Sequence, residues 1–288
     1  MNYHYIQGKI VPEKEAWVSP FDLGLLRGFG VFDFFKVLDG IPLFMEDHLA
    51  RFANSCRLMG LDIPESMDTI KGLIIELIRL NQTENGTIKI VLTGGISTDG
   101  FMPAEIGSLF ILTGRINFLL SETYDQQKAY KLKSLEYKRE TPGIKSLNYL
   151  IPIQHWKSII QEGYDDLLYV YQDSVSETSR ANIFVVTAEG KLITPSEDIL
   201  PGVTRNHIIQ MAEQFMSVEI RKVRLEEVLN GVEVFLTSTT KRLMPVIQID
   251  DHKLQTRTTG SIAGKLYNEL RVLEKKYMEE FKSVSMVK

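Results

Sequence analysis

The stretch GIKSLNYL, residues 143–150, sets one lysine among small and apolar neighbours. Lys145 has no acidic residue in that stretch to pair with, and lysine is seldom buried without a partner. A lysine that attacks a carbonyl must be neutral, and apolar surroundings lower its pKa toward that state. Taken alone, the commoner description is a partly exposed lysine whose stem packs on apolar surface.

A second candidate lies in VSETSRANIFVV, residues 175–186, where Glu177 precedes a buried-looking strand that Asn182 begins. A lysine able to form an imine, together with a carboxylate facing a protonated ring nitrogen, is the pair that pyridoxal 5′-phosphate requires. The carboxylate keeps the nitrogen protonated, so the ring accepts electrons from the substrate's α-carbon. Alone, Glu177 is more simply a turn carboxylate accepting backbone N–H bonds.

Three further stretches could hold an anion. In LPGVTRNHIIQMAEQF, residues 200–215, Pro201-Gly202 makes a turn, Thr204 is placed to cap, and an amphipathic helix follows. The N–H groups at such a helix start bind phosphate well, although an ordinary capped helix needs no ligand. In VFLTSTTKRLMPVIQID, residues 234–250, Ser238, Thr239 and Thr240 stand at a strand's end, where hydroxyls and N–H groups could hold phosphate oxygens. In EDHLARF, residues 46–52, His48 and Arg51 fall one turn apart on a helix. Arginine grips phosphate through two parallel hydrogen bonds; in isolation the same residue is a solvated surface arginine.

The elements that must carry these groups read as strands and helices in mixture. FGVFDFFKVL, residues 29–38, is β-branched and aromatic and closes on Asp39-Gly40, as a strand does. Apolar residues at Leu49, Phe52, Ala53, Cys56 and Met59 follow a helical period, and a second helix follows Ser66 through Ile70, Leu73, Ile74 and Leu77. Strands are expected at 88–95, 108–114, 131–137, 165–172, 182–187, 191–194 and 232–238, and helices at 148–161, 204–216 and 258–282. RINFLLSETY, residues 115–124, has no clear period and is taken as the crossing between domains. The pattern is α+β or α/β, with strands too irregularly spaced for a TIM barrel.

The 288 residues favour two domains. A net charge of −4, with basic residues spread along the chain, argues against nucleic-acid or anionic-membrane roles. The single cysteine, Cys56, excludes an intrachain disulfide framework and cysteine-based zinc sites. MNYHYIQGKIVPEKE lacks the basic and apolar regions of a signal peptide. No apolar run approaches the ~20 residues of a membrane helix.

Taken together and in order, DLGLLRGFGVFDFFKVLDG, EDHLARF, GIKSLNYL, ETSRANIFVV, LPGVTR and TSTTKRLMPVIQID resemble the fold-type IV pyridoxal-phosphate enzymes. These are the class IV aminotransferases, a group holding branched-chain and D-amino-acid aminotransferases and 4-amino-4-deoxychorismate lyase. The resemblance implies a two-domain fold of the D-amino-acid aminotransferase-like kind. A smaller N-terminal α/β domain, residues 1–117, would pack on a larger C-terminal cofactor-binding domain, residues 118–288, with the cofactor between them and a dimer partner walling the pocket. It further implies that Lys145 is the lysine joined to the cofactor and Glu177 the partner of the pyridine nitrogen. Arg51 would lie on the phosphate, as would the helix start at Val203 and Thr204 and the loop at Thr239 and Thr240. Leu200 would pack against the cofactor ring, and Tyr149 would stand where some members hydrogen-bond the cofactor's phenolic oxygen. Phe32 and Phe34 would line and narrow the substrate pocket.

Several positions depart from the family pattern. Arg27, where the family usually has an aromatic residue, is a candidate anchor for a substrate carboxylate or else points to solvent or a dimer partner; Arg242 is a further candidate anchor. Lys89 stands where an arginine is frequent. Asp33 follows Phe32, where glutamate or threonine would be usual nearby. In LTGGISTDGFMP, residues 92–103, Asp99 and Phe101 replace the arginine and histidine with which the D-amino-acid branch traps a carboxylate. The implied reaction moves an amino group between an amino acid, branched-chain-like or D-configured, and a 2-oxo acid. The alternatives are the lyase, and a pyridoxal-phosphate-binding protein without turnover. The implied state is a cytoplasmic homodimer with no metal.

Overall fold

The structure, a computed structural model, describes residues 2–114, 123–255 and 260–285. Residues 115–122 of the expected domain crossing, and 258–259 of the last expected helix, lie outside the described residues. The chain divides into two compact units. One takes Met1–Leu119, Ile144–Asn148 and Tyr277–Lys288; the other takes Leu120–Gly143 and Tyr149–Lys276.

The first unit contains β1 (Tyr3–Ile6), β2 (Lys9–Pro12), α1 (Leu23–Arg27), β3 (Gly30–Leu38), β4 (Ile41–Pro42), α2 (Met45–Met59), α3 (Met67–Leu80), β5 (Gly86–Thr93) and β6 (Ser108–Gly114). Its strands form one antiparallel sheet in the order β2-β1-β6-β5-β3-β4. Successive side chains of a strand face opposite sides. On β3 this buries Val31, Asp33, Phe35 and Val37 and leaves Phe32 and Phe34 half-buried on the other face. Phe35 and Val37 join Leu49, Phe52 and Cys56 of α2 and Ile70, Ile74 and Leu77 of α3 in one core; a side chain buried as fully as Phe52 contributes ~1.5–3 kcal/mol. Local signals bound the helices. Ser66 accepts from the Thr69 N–H at 3.1 Å to cap α3, and Gly60, at φ 72°, ends α2 in the left-handed region that glycine enters without strain.

Ile144–Asn148 adds to this sheet. The Phe32 N–H donates to the Lys145 carbonyl at 2.9 Å, the Leu147 N–H donates to the Gly30 carbonyl at 3.0 Å, and Val31 bridges Ser146. Because β5 pairs the other edge of β3 along Gly30–Val37, the lysine-bearing stretch lies along the edge that β4 only partly covers.

The second unit contains β7 (Tyr130–Glu136), α4 (Leu150–Gln161), β8 (Asp166–Tyr171), β9 (Ser174–Thr178), β10 (Asn182–Val186), β11 (Leu192–Pro195), α5 (Val203–Ala212), β12 (Val218–Arg221), β13 (Val223–Arg224), α6 (Leu225–Leu229), β14 (Glu233–Ser238), β15 (Arg242–Ile249), β16 (His252–Lys253) and the part of α7 (Ile262–Ser285) that precedes Tyr277. Its sheet runs β12-β11-β10-β14-β15-β7-β8-β9-β13, and a further pairing of β9 with β10 closes six of these strands into a ring. The closing pair is Glu177 opposite Asn182. One face of the strands buries Leu132, Leu168, Ile183, Leu236 and Val246 together. The other packs Phe184, Val186 and Phe235 against Ile208, Ile209 and Ala212 of α5 and Leu266 and Leu270 of α7. Glu233 accepts from the N–H groups of Ile262 and Ala263 at 2.9 and 3.1 Å and so satisfies the start of α7.

Two local expectations change. Glu177 precedes the strand that Asn182 begins, as expected, but instead of standing in a turn it lies inside a further strand, β9. Thr204, expected to cap, is the second residue of α5, and the cap is Gly202.

Candidate active site

In the first unit Lys145 is held by its backbone. Its N–H donates to Ser55 Oγ at 3.2 Å, and its carbonyl accepts from Phe32. The side chain is half-buried, with Nζ 4.7 Å from the centroid of the Phe32 ring. Lys89, opposite Phe34 on β5, has its Nζ 5.6 Å from the same ring. Both amines thus lie within reach of one aromatic ring.

Behind β3 lies a buried ion cluster. Arg51 grips Asp33 side-on, Nε to Oδ2 at 2.8 Å and Nη2 to Oδ1 at 2.9 Å, and His48 Nδ1 lies 2.8 Å from Asp33 Oδ1. Burial pushes the Asp33 carboxyl up, but the Arg51 charge and the hydrogen bonds from His48 and Arg51 outweigh it and hold the group well below the usual carboxylate range. Burial also holds His48 below its ordinary value of 6.5, against the opposing pull of Asp33, so the ring is neutral and donates from Nδ1. A histidine depressed in the folded state contributes its full stability above the unfolded value and loses it as the pH falls below that value. We therefore expect the unfolding temperature to drop between about pH 7.5 and about pH 5.5, and to drop less in His48→Gln. An equal drop in both proteins, followed by circular dichroism, would remove His48 from that role. The lone thiol is no nucleophile: Cys56 is buried, and burial pushes it up to about 12.

In the second unit Glu177 is buried, and both its oxygens are engaged. Arg139 Nη1 donates to Oε1 at 2.8 Å, while the Leu200 N–H and Asn182 Nδ2 donate to Oε2 at 2.9 and 3.3 Å. Asn182 Nδ2 also donates to the Leu200 carbonyl at 2.9 Å. Three residues on, α5 starts at Val203 behind a cap, Gly202, that supplies no side-chain hydrogen bond. Thr239 and Thr240 form the half-buried turn joining β14 to β15. Thr237, one residue before Ser238, is buried, and its hydroxyl has no hydrogen-bond partner among the described residues. Tyr149 is half-buried at the start of α4.

The remaining candidates are placed as follows. Arg242 is buried, with Nε 2.8 Å from Glu274 Oε2 and Nη1 3.2 Å from the Tyr267 hydroxyl, so its charge is matched within the fold rather than offered to a substrate. Arg27 ends α1 exposed, and its Nε donates to the Gly100 carbonyl at 3.1 Å. Asp99 accepts from the N–H groups of Phe101 and Met102, both at 2.8 Å, as a turn carboxylate does. The residues that sequence reasoning passed over are Arg139 and the side chains of Asn182 and Thr237. The available signal was the need of a buried carboxylate for donors, which names no partner.

The family description "Amino-transferase class IV" matches residues 30–249. Over 279 residues the chain is 30% identical to a protein of Methanocaldococcus jannaschii assigned as a branched-chain-amino-acid aminotransferase, covering 95% of this chain and 96% of that one. It is 29% identical to the aminodeoxychorismate lyase of Bacillus subtilis, covering 94% and 93%. The crystal structure of the branched-chain aminotransferase of Thermoproteus uzoniensis with norvaline superimposes with a TM-score of 0.84 at 25% identity, covering 96% of this chain and 97% of that one. The chain belongs to the class IV aminotransferases, enzymes that work with pyridoxal 5′-phosphate.

The residues of the second unit fit that cofactor. A helix start without a side-chain cap leaves N–H groups for a phosphate. The buried Thr237 hydroxyl adds a donor that the fold does not satisfy. A Cβ on Gly202 would lie 2.1 Å from Asn182 Oδ1 and 3.2 Å from Arg205 Cβ. The Asn182 amide is held by two hydrogen bonds, so Gly202→Ala forces the helix start to move. We expect that variant to weaken pyridoxal 5′-phosphate about tenfold or more, as a strained overpacked site does. A cofactor titration followed by absorbance that matches the wild type would contradict this.

Proposed function

We propose that this aminotransferase is a cytoplasmic homodimer acting on branched-chain-like or D-configured amino acids with a 2-oxo acid as partner, and that Lys145 and Glu177 are its principal cofactor residues. The single observation that carries the reading is Glu177. A buried carboxylate held by Arg139, Asn182 and the Leu200 N–H beside an uncapped helix start is suited to a ring nitrogen and a phosphate on one small molecule.

When bound, the cofactor's ring withdraws electrons from the substrate's α-carbon. Lys145 would serve as general base and then general acid, its Nζ taking up the substrate's α-proton and giving it back. Glu177 holds a negative charge against the ring nitrogen. The N–H groups of Val203 and Thr204 and the Thr239–Thr240 turn would hold the phosphate, with Arg51, which already grips Asp33, as a further candidate. Leu200 would pack on the ring, and Tyr149 would supply a hydroxyl for the phenolic oxygen. Phe32 and Phe34, half-buried on one face of β3, line the substrate side. Lys89, over the Phe32 ring, offers a charge for a substrate carboxylate, with exposed Arg27 as the alternative.

Support for a dimer comes from exposed apolar side chains. Leu150, Ile153 and Ile160 recur along α4, and Phe21, Leu25, Phe101 and Met102 are exposed on the first unit; such surface commonly marks an interface. Among the described residues no helix is long and apolar enough to cross a membrane. The deciding experiment is a half-reaction with the purified enzyme, followed by cofactor absorbance, against D- and L-amino-acid panels. Turnover of one hand supports the proposal and selects it. A spectrum unmoved by every amino acid, with release of 4-aminobenzoate from aminodeoxychorismate, would replace it with the lyase reading that the Bacillus relative favours. Light scattering of the eluted protein reads the dimer.

A further inference from the structure

We propose that Asn182 is a positioning residue that ties the carboxylate facing the ring nitrogen to the phosphate-holding start of α5. The inference rests on the reading above and goes beyond it by adding a residue that touches neither substrate nor cofactor.

The placement follows from the strand pairing. Asn182 is the first residue of β10 and stands opposite Glu177 on β9 and opposite Thr237 on β14. It therefore joins the strand that carries the acid to the strand that runs into the Thr239–Thr240 turn. Its side chain extends the link to a third element. One carboxamide hydrogen goes to Glu177 Oε2 and the other to the Leu200 carbonyl, while the Leu200 N–H returns to Glu177 Oε2. The three residues close a ring of hydrogen bonds, which fixes Leu200 two residues before the cap of α5. On its other side the carboxamide oxygen occupies the space that any side chain at position 202 would need. A shift of Glu177 is thereby a shift of the helix start.

The residue type suits the task. Both partners are acceptors, so two donors are required, and asparagine supplies them. Serine has one donor. Aspartate has none when ionised and repels Glu177. Lysine or arginine would add a second cation beside the one Arg139 already supplies on Oε1. A neutral amide orients the carboxylate and leaves its charge for the ring.

The test uses the full chain stripped of cofactor. Calorimetry measures binding of pyridoxal 5′-phosphate, of pyridoxal, which lacks the phosphate, and of inorganic phosphate. The proteins are the wild type, Asn182→Asp, Asn182→Ala and the core variant Val185→Ala from the same strand. We expect both Asn182 variants to bind pyridoxal 5′-phosphate and inorganic phosphate about tenfold more weakly, with Val185→Ala within twofold of the wild type. Inorganic phosphate binding that stays within twofold in the Asn182 variants overturns the proposal. So does an equal loss in Val185→Ala, or loss of the folded circular-dichroism signal in both Asn182 variants, since either would make the residue structural. A wild type that binds none of the three probes would instead refute the cofactor reading.

Discussion

Replacing Lys145 by alanine will abolish the amino-acid half-reaction while leaving the fold intact. General acid–base transfer by a placed side chain accounts for about 10²–10⁴-fold in rate, and loss of the covalent attachment adds to that, so kcat should fall by at least about a thousandfold. The fold should survive because the first unit holds this stretch by its backbone. The Ser55 hydroxyl and the β3 hydrogen bonds engage main-chain groups of residues 145 and 147, while the side chain lies over the Phe32 ring. Lys145→Arg should not recover activity, because a guanidinium stays protonated at any working pH. A small primary amine in the buffer should recover part of it in Lys145→Ala by reaching the space that the side chain leaves. Borohydride reduction and peptide mapping check the assignment independently. In the wild type the pyridoxyl mass should fall on the peptide holding residues 143–150. A tag on any other lysine, or an alanine variant within tenfold of wild-type kcat, would defeat it.

Asp33→Ala will be the most destabilising single change in the first unit. It removes the carboxylate from a buried guanidinium and a buried imidazole at once: the Asp33 and Arg51 side chains are 0% and 9% exposed. Breaking a buried ion pair by deleting one partner costs about 3–5 kcal/mol, which lowers the midpoint of thermal unfolding by roughly 10 °C for a chain of this size. The cause is the uncompensated charge rather than lost packing, and this is testable. Asp33→Ala combined with Arg51→Met should be more stable than Asp33→Ala alone, because the second change removes the stranded cation. If the two losses simply add, the coupling drawn from the side-on fork is wrong. The wild-type pair also has a pH signature. A carboxyl held below its unfolded value contributes stability present above that value and lost as the pH falls through the folded one. The Asp33 contribution is therefore lost only below about pH 4, lower than the loss expected from His48.

The match of chemistry to chain was legible where the information is local. Lys145 stood out because a lysine among Gly143, Ile144, Leu147 and Leu150, with no acidic residue in that stretch, is unusual. The helices α2 and α3 showed in the spacing of Leu49, Phe52 and Cys56 and of Ile70, Ile74 and Leu77, and β3, β6 and β10 showed in their β-branched and aromatic runs. The short strands β1, β2 and β9 were missed, since four or five residues of mixed polarity carry too little period to separate strand from loop. Thr204 was taken for a cap because threonine caps commonly. The cap is instead two residues earlier, at Gly202, a glycine that the crowding of Asn182 requires.

The residues themselves, then, determined which groups could do the chemistry and which faces of each element would be buried, because side-chain type and periodicity are properties of neighbours along the chain. Only the tertiary structure decided the partners. Asp33 reads from the sequence only as a departure from the family pattern, and its meaning comes from Arg51, 18 residues away on a helix that packs on the sheet. Glu177 reads as a turn carboxylate until Arg139, 38 residues earlier, and Leu200, 23 residues later, converge on it. Which donor meets a buried acid is settled by packing among distant segments, and no period along the chain encodes that meeting.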